Sequence, residues 1–228
     1  MATDESLSPS ERIGFPDEYR AGAESAIFAD IVAKLPALLR DGARVLDLGS
    51  GASELARQTI EHCTARGIAL VMVDSPEMLG QLPDADGVTK VEGRFPDCPE
   101  LFEADPFDGI LVYSVLQHVF VDASVEEFVK AAIGLLAHDG SALFGDIPNG
   151  SKLRRFLSSP AGAEFHRAYS GVDEDPDVEG IEEGRIDDRL LLGLVESARE
   201  KGFDAYLMPQ PEGLPMANRR EDLLVYRP

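Results

Sequence analysis

The chain has no tryptophan and only two cysteines among its 228 residues. Cys63 and Cys98 lie far apart, so they form neither a C-x-x-C redox motif nor a zinc quartet. A reduced, cytoplasmic setting is the simplest account of so few thiols. Cations are also scarce: 21 Lys and Arg face 42 Asp and Glu, a formal net charge of −21. Polyphosphate binding needs Lys and Arg to release counterions, which argues against a broad nucleic-acid or anionic-membrane surface. No stretch approaches the roughly 18 apolar residues of a membrane span. The opening MATDESLSPSERIGF has neither an apolar run nor a basic start, and no signal peptide is expected there.

Enough remains for a core. Hydrophobic residues make up 44% of the chain, and a globule of this length buries roughly 70–75% of its unfolded surface. The expected organisation is a flexible tail over 1–14 and a single domain over 15–228. Residues 21–40 carry Ile27, Phe28, Ile31, Val32, Leu35, Leu38 and Leu39 at helical spacing, with a kink or restart expected at Pro36. The period then changes. Short apolar runs at 44–48, 68–74, 87–92, 107–113 and 141–146 read as strands, and helices are expected at 53–66, 75–82 and 122–137. Strands alternating with helices mean a parallel sheet covered on both faces. The rhythm breaks over about 148–185, an insertion dense in Asp and Glu that reads as a lid or a solvated loop. A helix follows at 186–201. The last two strands, 203–208 and 222–226, have no helical crossover between them and should pair antiparallel.

The strongest local signal is VLDLGSGAS. A strand runs into Gly49-Ser50-Gly51 and a helix starts, so free backbone N–H groups and the helix N-terminus face one spot. Two acids flank it: Asp47, two residues before the first glycine, and Asp74, at the end of the next strand. An acid in the second place can accept both hydroxyls of a ribose. The nicotinamide fingerprint G-x-G-x-x-G is not met, because Glu54 occupies the third glycine position.

These residues resemble a class I S-adenosylmethionine-dependent methyltransferase. Its (D/E)-x-G-x-G motif stands here as Asp47-Leu48-Gly49-Ser50-Gly51, and the likeness spans roughly Tyr19 to Tyr226. The resemblance implies a three-layer, Rossmann-like α/β sandwich, its seven-stranded sheet mostly parallel with an antiparallel last strand. It implies S-adenosylmethionine as cofactor, S-adenosylhomocysteine as product, and methyl transfer to an O or N atom of a small molecule. Gly49, Ser50 and Gly51 would contact the methionine part and Asp47 its amino group. Asp74 would take the ribose, with Ser75 and Met78 close by. Gly93-Arg94-Phe95 occupies the adenine position, with Arg94 in place of the usual acid. Tyr113 and Ser114 would line the pocket after the fourth strand, and Tyr19 and Arg20 would close over the cofactor. A non-catalytic cofactor-binding module and another nucleotide-cofactor transferase are the alternatives.

Open α/β sheets bind ligands beyond the carboxyl ends of their strands. This selects Gln117, His118, Asp146 and Asn149 on the acceptor side. His118 reads as a general base or as a structural helix-start histidine. Asp146 reads as a proton acceptor or a turn carboxylate. Lys152, Arg154 and Arg155 are a compact basic cluster that reads as a clamp for a phosphate or carboxylate or as a solvated helix face. His166 and Tyr169, with Phe156 and Phe165, would pack an acceptor lid. GDIPNGSKLRRF and LPMANRREDLLVY resemble methyltransferases of bacterial glycan or nucleotide-sugar type, which would give the basic cluster a diphosphate to bind. No residue cluster calls for a metal. A monomer or homodimer is expected.

Overall fold

The structure, a computed structural model, describes residues 22–171 and 173–228. The tail expected over 1–14, and Tyr19 and Arg20, lie outside these. One sheet organises the described chain: β1 (Arg44–Leu48), β2 (Ala69–Asp74), β3 (Val88–Glu92), β4 (Phe107–Tyr113), β5 (Leu136–Pro148), β6 (Asp204–Pro209) and β7 (Arg220–Tyr226). Their spatial order is β3-β2-β1-β4-β5-β7-β6. The first five run parallel, and β7 lies antiparallel between β5 and β6. The expected seven-stranded architecture and the antiparallel final pair are both present.

Side chains alternate across the sheet because the strand period is two. Val45, Leu70, Met72, Leu111, Leu143 and Leu224 face one core, which is closed by Ile27 and Ile31 of α1 (Glu24–Lys34) and Ile60 and Cys63 of α2 (Glu54–Ala65). Leu46, Val71, Val73, Ile110, Phe144 and Val225 face the other. That core is closed by α6 (Val125–Ile133) and α9 (Asp188–Glu200), whose Val129, Ile133, Leu191 and Leu194 are buried.

Several boundaries differ from the sequence reading, each for a local reason. α1 ends at Lys34, because Leu35 precedes Pro36 and takes an extended ψ of 86°; a 3-10 turn, Pro36–Leu39, restarts the winding. The helix expected at 122–137 is two elements. α5 (Leu116–Asp122) stops where Ala123 is extended, and Ser124 Oγ caps α6 by accepting the Glu127 N–H. α6 ends at Ile133 because Leu136 pairs with Phe107 and belongs to β5. Two short helices complete this half: α3 (Pro76–Leu79) and α4 (Pro99–Glu103).

The insertion contains a helical hairpin, α7 (Gly150–Leu157) and α8 (Pro160–Ser170). Asn149 and Ser159 cap the two helices through their side-chain oxygens. Gly162 lets them meet: a Cβ there would sit 1.9 Å from the Phe156 carbonyl oxygen. Among the described residues no helix is long and apolar enough to cross a membrane.

Candidate active site

The crossover connections reverse direction between β1 and β4, which opens a crevice at their carboxyl ends. The backbone leaves β1 through Gly49 (φ 73°) and Gly51 (φ 63°) before entering α2. Gly49 is held to glycine twice over, since an added Cβ would also lie 2.6 Å from Val115 Cγ2. Asp74 ties the glycine loop to the end of β2. The Gly51 N–H donates to Oδ2 and the Ser75 N–H to Oδ1, each at 2.7 Å.

A cleft of about 860 Å³, including its open mouth, lies over this loop. Asp47, Ser50, Asp74 and Met78 line it on one side, and Tyr113, Ser114, Val115 and His118 on the other. Burial pushes the Asp47 carboxyl up to about 7, and the neighbouring Asp74 charge adds to the rise. Ser50 Oγ is buried against the cleft with no hydrogen-bond partner among the described residues. The sequence reading missed Ser53, Leu55, Ala56, Thr59 and Leu111 as lining residues. The helical spacing of Leu55, Ala56 and Thr59 along α2 was the available signal.

Other expected cofactor residues point elsewhere. Ser75 Oγ accepts from the Met78 N–H and caps α3 instead of lining the cleft. Arg94 turns outward to Asp122, at 3.2 Å. Phe95 is buried against Phe128, their ring centroids 5.1 Å apart, and packs in the core. Neither side chain reaches the cleft, so the adenine assignment survives only for backbone atoms near Gly93. A Cβ at Gly93 would lie 2.8 Å from Cys98 Sγ.

Asp146 also needs correction. It is 3% exposed and lines none of the cavities described here. Its Oδ2 accepts from Ser114 Oγ at 2.6 Å, and its Oδ1 is 3.7 Å from Arg220 Nε. Its N–H donates to Asp222 Oδ1 at 2.9 Å, and Asp222 also accepts Lys34 Nζ at 2.6 Å. Ser114 and Asp146 have φ of 61° and 58°, a left-handed backbone that costs energy unless fixed by its surroundings. A carboxylate so enclosed holds Ser114 at the cleft wall and does not itself line the cleft.

His118 and Gln117 are adjacent in α5 but face different spaces. His118 is exposed and lines the cleft. Gln117 lines a second cavity with Phe120, Asn149, Leu153, Arg185 and Ile186. Gln117 Nε2 donates to the carbonyl of Ser114, a residue of the cleft, at 2.7 Å. Phe120 follows Gln117 at helical spacing, a readable signal; nothing in the sequence marked Arg185.

The basic cluster is already paired. Arg154 meets Glu182 at 3.3 Å, Arg155 meets Asp188, and Lys152 Nζ donates to the Arg220 carbonyl at 2.8 Å. Asn149 lines the second cavity, but its amide nitrogen donates to Asp188 and Glu221. His166 and Tyr169 line none of the cavities described here; Tyr169 stacks on Phe165, centroids 6.1 Å apart, and Arg219 lies over the Phe165 ring. Among the described residues no group of three or more His, Cys, Asp or Glu is placed to hold a metal ion.

Sheet order and cleft together define the Rossmann-like fold of class I methyltransferases. Trans-aconitate 2-methyltransferase of Streptomyces avermitilis is 36% identical over 111 residues, 46% of this chain and 40% of that enzyme. The chain thus matches less than half the length of this curated relative. The plantazolicin methyltransferase BpumL, solved with a triazolic desmethylPZN analog and SAH, has a TM-score of 0.62 at 10% identity, covering 92% of this chain and 87% of that one. Precorrin-6y C5,15-methyltransferase from Geobacter metallireducens GS-15 has a TM-score of 0.53 at 15% identity, covering 89% and 88%. No protein-family model matches the chain.

Proposed function

We propose that the protein transfers a methyl group from S-adenosylmethionine to an oxygen or nitrogen atom of a small molecule. The observation that carries this is the cleft itself, where two carboxylates of different character flank a glycine loop. Asp47 is buried and held near neutrality, so an arriving ammonium would restore its charge. Asp74 already accepts two backbone N–H groups, and its remaining lone pairs suit a ribose diol. The orphaned Ser50 Oγ is a further fit, since a buried hydroxyl without a partner is rare unless a ligand supplies one.

When bound, S-adenosylmethionine supplies a methyl on a sulfonium already activated for attack. The chain's own task is then mostly positioning, which is worth about 7–11 kcal/mol when two reactants are held in line. Ser114, fixed by Asp146, forms part of the cleft wall. His118 stands at the cleft as the candidate base, needed more for a hydroxyl acceptor than for an amine. The second cavity is the acceptor space. The pairing of Arg154 and Arg155 with acids removes the support for a diphosphate there, so a nucleotide-sugar acceptor is not part of the proposal.

Titration with S-adenosylmethionine, S-adenosylhomocysteine and NAD tests the reading. Binding of both adenosyl ligands and not of NAD is expected. Asp74→Asn should weaken them about ten- to a hundredfold, the worth of hydrogen bonds to a charged group. Absence of adenosyl binding would end the proposal. Loss of turnover in His118→Ala with unchanged cofactor affinity would support the base assignment, and full turnover would remove it.

A further inference from the structure

We infer that the second cavity takes an anionic acceptor, a small molecule with a carboxylate or phosphate at one end and an O–H or N–H at the other. This rests on the methyl-transfer reading for what happens to that molecule, though not for the charge it carries. Twelve residues line the cavity; three are Arg185, Arg219 and Arg220, and none is Asp or Glu. In a chain with twice as many acids as bases, such a lining stands out, and the neighbouring cleft holds Asp47 and Asp74 instead.

The three arginines differ. Arg220 is set against Asp146 and its carbonyl, and Arg219 bonds Asn218 and covers Phe165. Arg185 is exposed at the cavity rim and has no ion-pair partner among the described residues. Of the acids near it in sequence, Glu182 pairs with Arg154 and Ser151, Asp187 accepts the Leu190 N–H and Asp188 pairs with Arg155, while Glu183, two residues before it, forms no ion pair with it among the described residues. Arg185 therefore offers a planar guanidinium fork suited to the paired oxygens of a carboxylate or phosphate. Phe120, Leu153 and Ile186 supply apolar walls for a carbon body.

Gln117 sets the direction. Its Nε2 is used by the Ser114 carbonyl, and its Oε1 is buried without a hydrogen-bond partner among the described residues. An acceptor O–H or N–H bonded there would sit at the end of the cavity next to Ser114, whose carbonyl Gln117 holds and which itself lines the cleft. The anionic end then lies toward Arg185. The structure thus selects a bifunctional molecule whose nucleophile and charge are separated by an apolar spacer.

The test uses the full chain loaded with S-adenosylhomocysteine and four probes: 4-hydroxyphenylacetate, its primary amide, 4-hydroxyphenyl phosphate and phenylacetate. Dissociation constants come from calorimetry, with S-adenosylhomocysteine binding measured in the same series. The acid or the phosphate should bind about tenfold or more tighter than the amide, the scale of one charged hydrogen-bonding pair. The better of the two identifies the anion. Arg185→Glu should erase that preference, Arg185→Lys should keep part of it, and both should leave S-adenosylhomocysteine affinity unchanged. Gln117→Leu should weaken 4-hydroxyphenylacetate but not phenylacetate. Equal binding of acid and amide, a preference untouched by Arg185→Glu, or no binding by any probe would overturn the inference. Failure of S-adenosylhomocysteine to bind would instead overturn the methyl-transfer reading, and the acid-to-amide ratio on ligand-free protein would still judge the cavity.

Discussion

Asp47 carries a cost to the fold in its own carboxyl, whatever it binds. Its carboxyl is held up to about 7, chiefly by burial and then by Asp74. Unfolded, the same group titrates near 3.9. As pH rises from about 4 to about 7, the unfolded chain gives up its proton first, so stability present at low pH is lost across that window. Asp47→Asn should therefore melt at a higher temperature than wild type at about pH 8, with the gap closing as pH falls toward about 4. Parallel melting curves at all pH values would contradict this. The same variant should bind S-adenosylmethionine more weakly above about pH 7, where the carboxylate is charged in wild type. Gly49 makes a second case. Gly49→Ala meets both a left-handed backbone and Val115 Cγ2, and should cost about 1–3 kcal/mol in urea unfolding. Adding Val115→Ala should recover the steric part alone. Both positions were legible in the sequence because the glycine loop is a local pattern. The burial of Asp146 was not, since it depends on Ser114 after β4 and on Arg220 and Asp222 of β7 arriving from two other segments.

The elements of the insertion show why patterning reads some structure and hides other structure. Most strands of the sheet carry apolar runs that were recognisable, though β3 (VTKVE) is mixed and the start of β5, Leu136–Gly140, reads in sequence as a helix end and its stop. α7 and α8 are amphipathic helices on the surface with few buried positions, so their hydrophobic signal is thin. What marks them is their capping chemistry, Asn149 ahead of α7 and Ser159-Pro160 ahead of α8. The segment after α8 is fastened to the hairpin by charge: Arg154 to Glu182, and Arg167 to Asp175 at 3.4 Å. Exposed pairs of this kind contribute about 0–1 kcal/mol and weaken in salt. Glu182→Gln should therefore shift global stability by less than about 1 kcal/mol. Limited proteolysis should nonetheless cut within 173–186 faster than in wild type, and raised salt should speed cleavage of wild type in the same way. An unchanged cleavage rate would mean that contacts other than the Arg154–Glu182 pair, such as the Gly150 N–H donating to the Ile186 carbonyl, hold the segment.

At the scale of the whole molecule, the net charge of −21 and the arginine-lined cavity act in opposite directions on an anion. Long-range repulsion slows encounter, and moderate salt screens it first because it acts over more than a Debye length. Association of 4-hydroxyphenylacetate should thus quicken as salt rises from low ionic strength, the reverse of a positively charged protein. Slower association over that range would show that the local field of the cavity dominates. The sheet order has a consequence in time as well as space. β6 touches the sheet only through β7, which lies between it and β5. Until residues 220–226 are synthesised and threaded into that gap, β5 presents an open edge and β6 has no neighbour to pair with. Asp222 would also be missing, leaving Lys34 and the backbone of Asp146 without their shared partner. A ribosome-bound chain that ends before this strand is therefore an aggregation hazard, and the wall of the cleft near Ser114 is among the last parts of the molecule to acquire its shape.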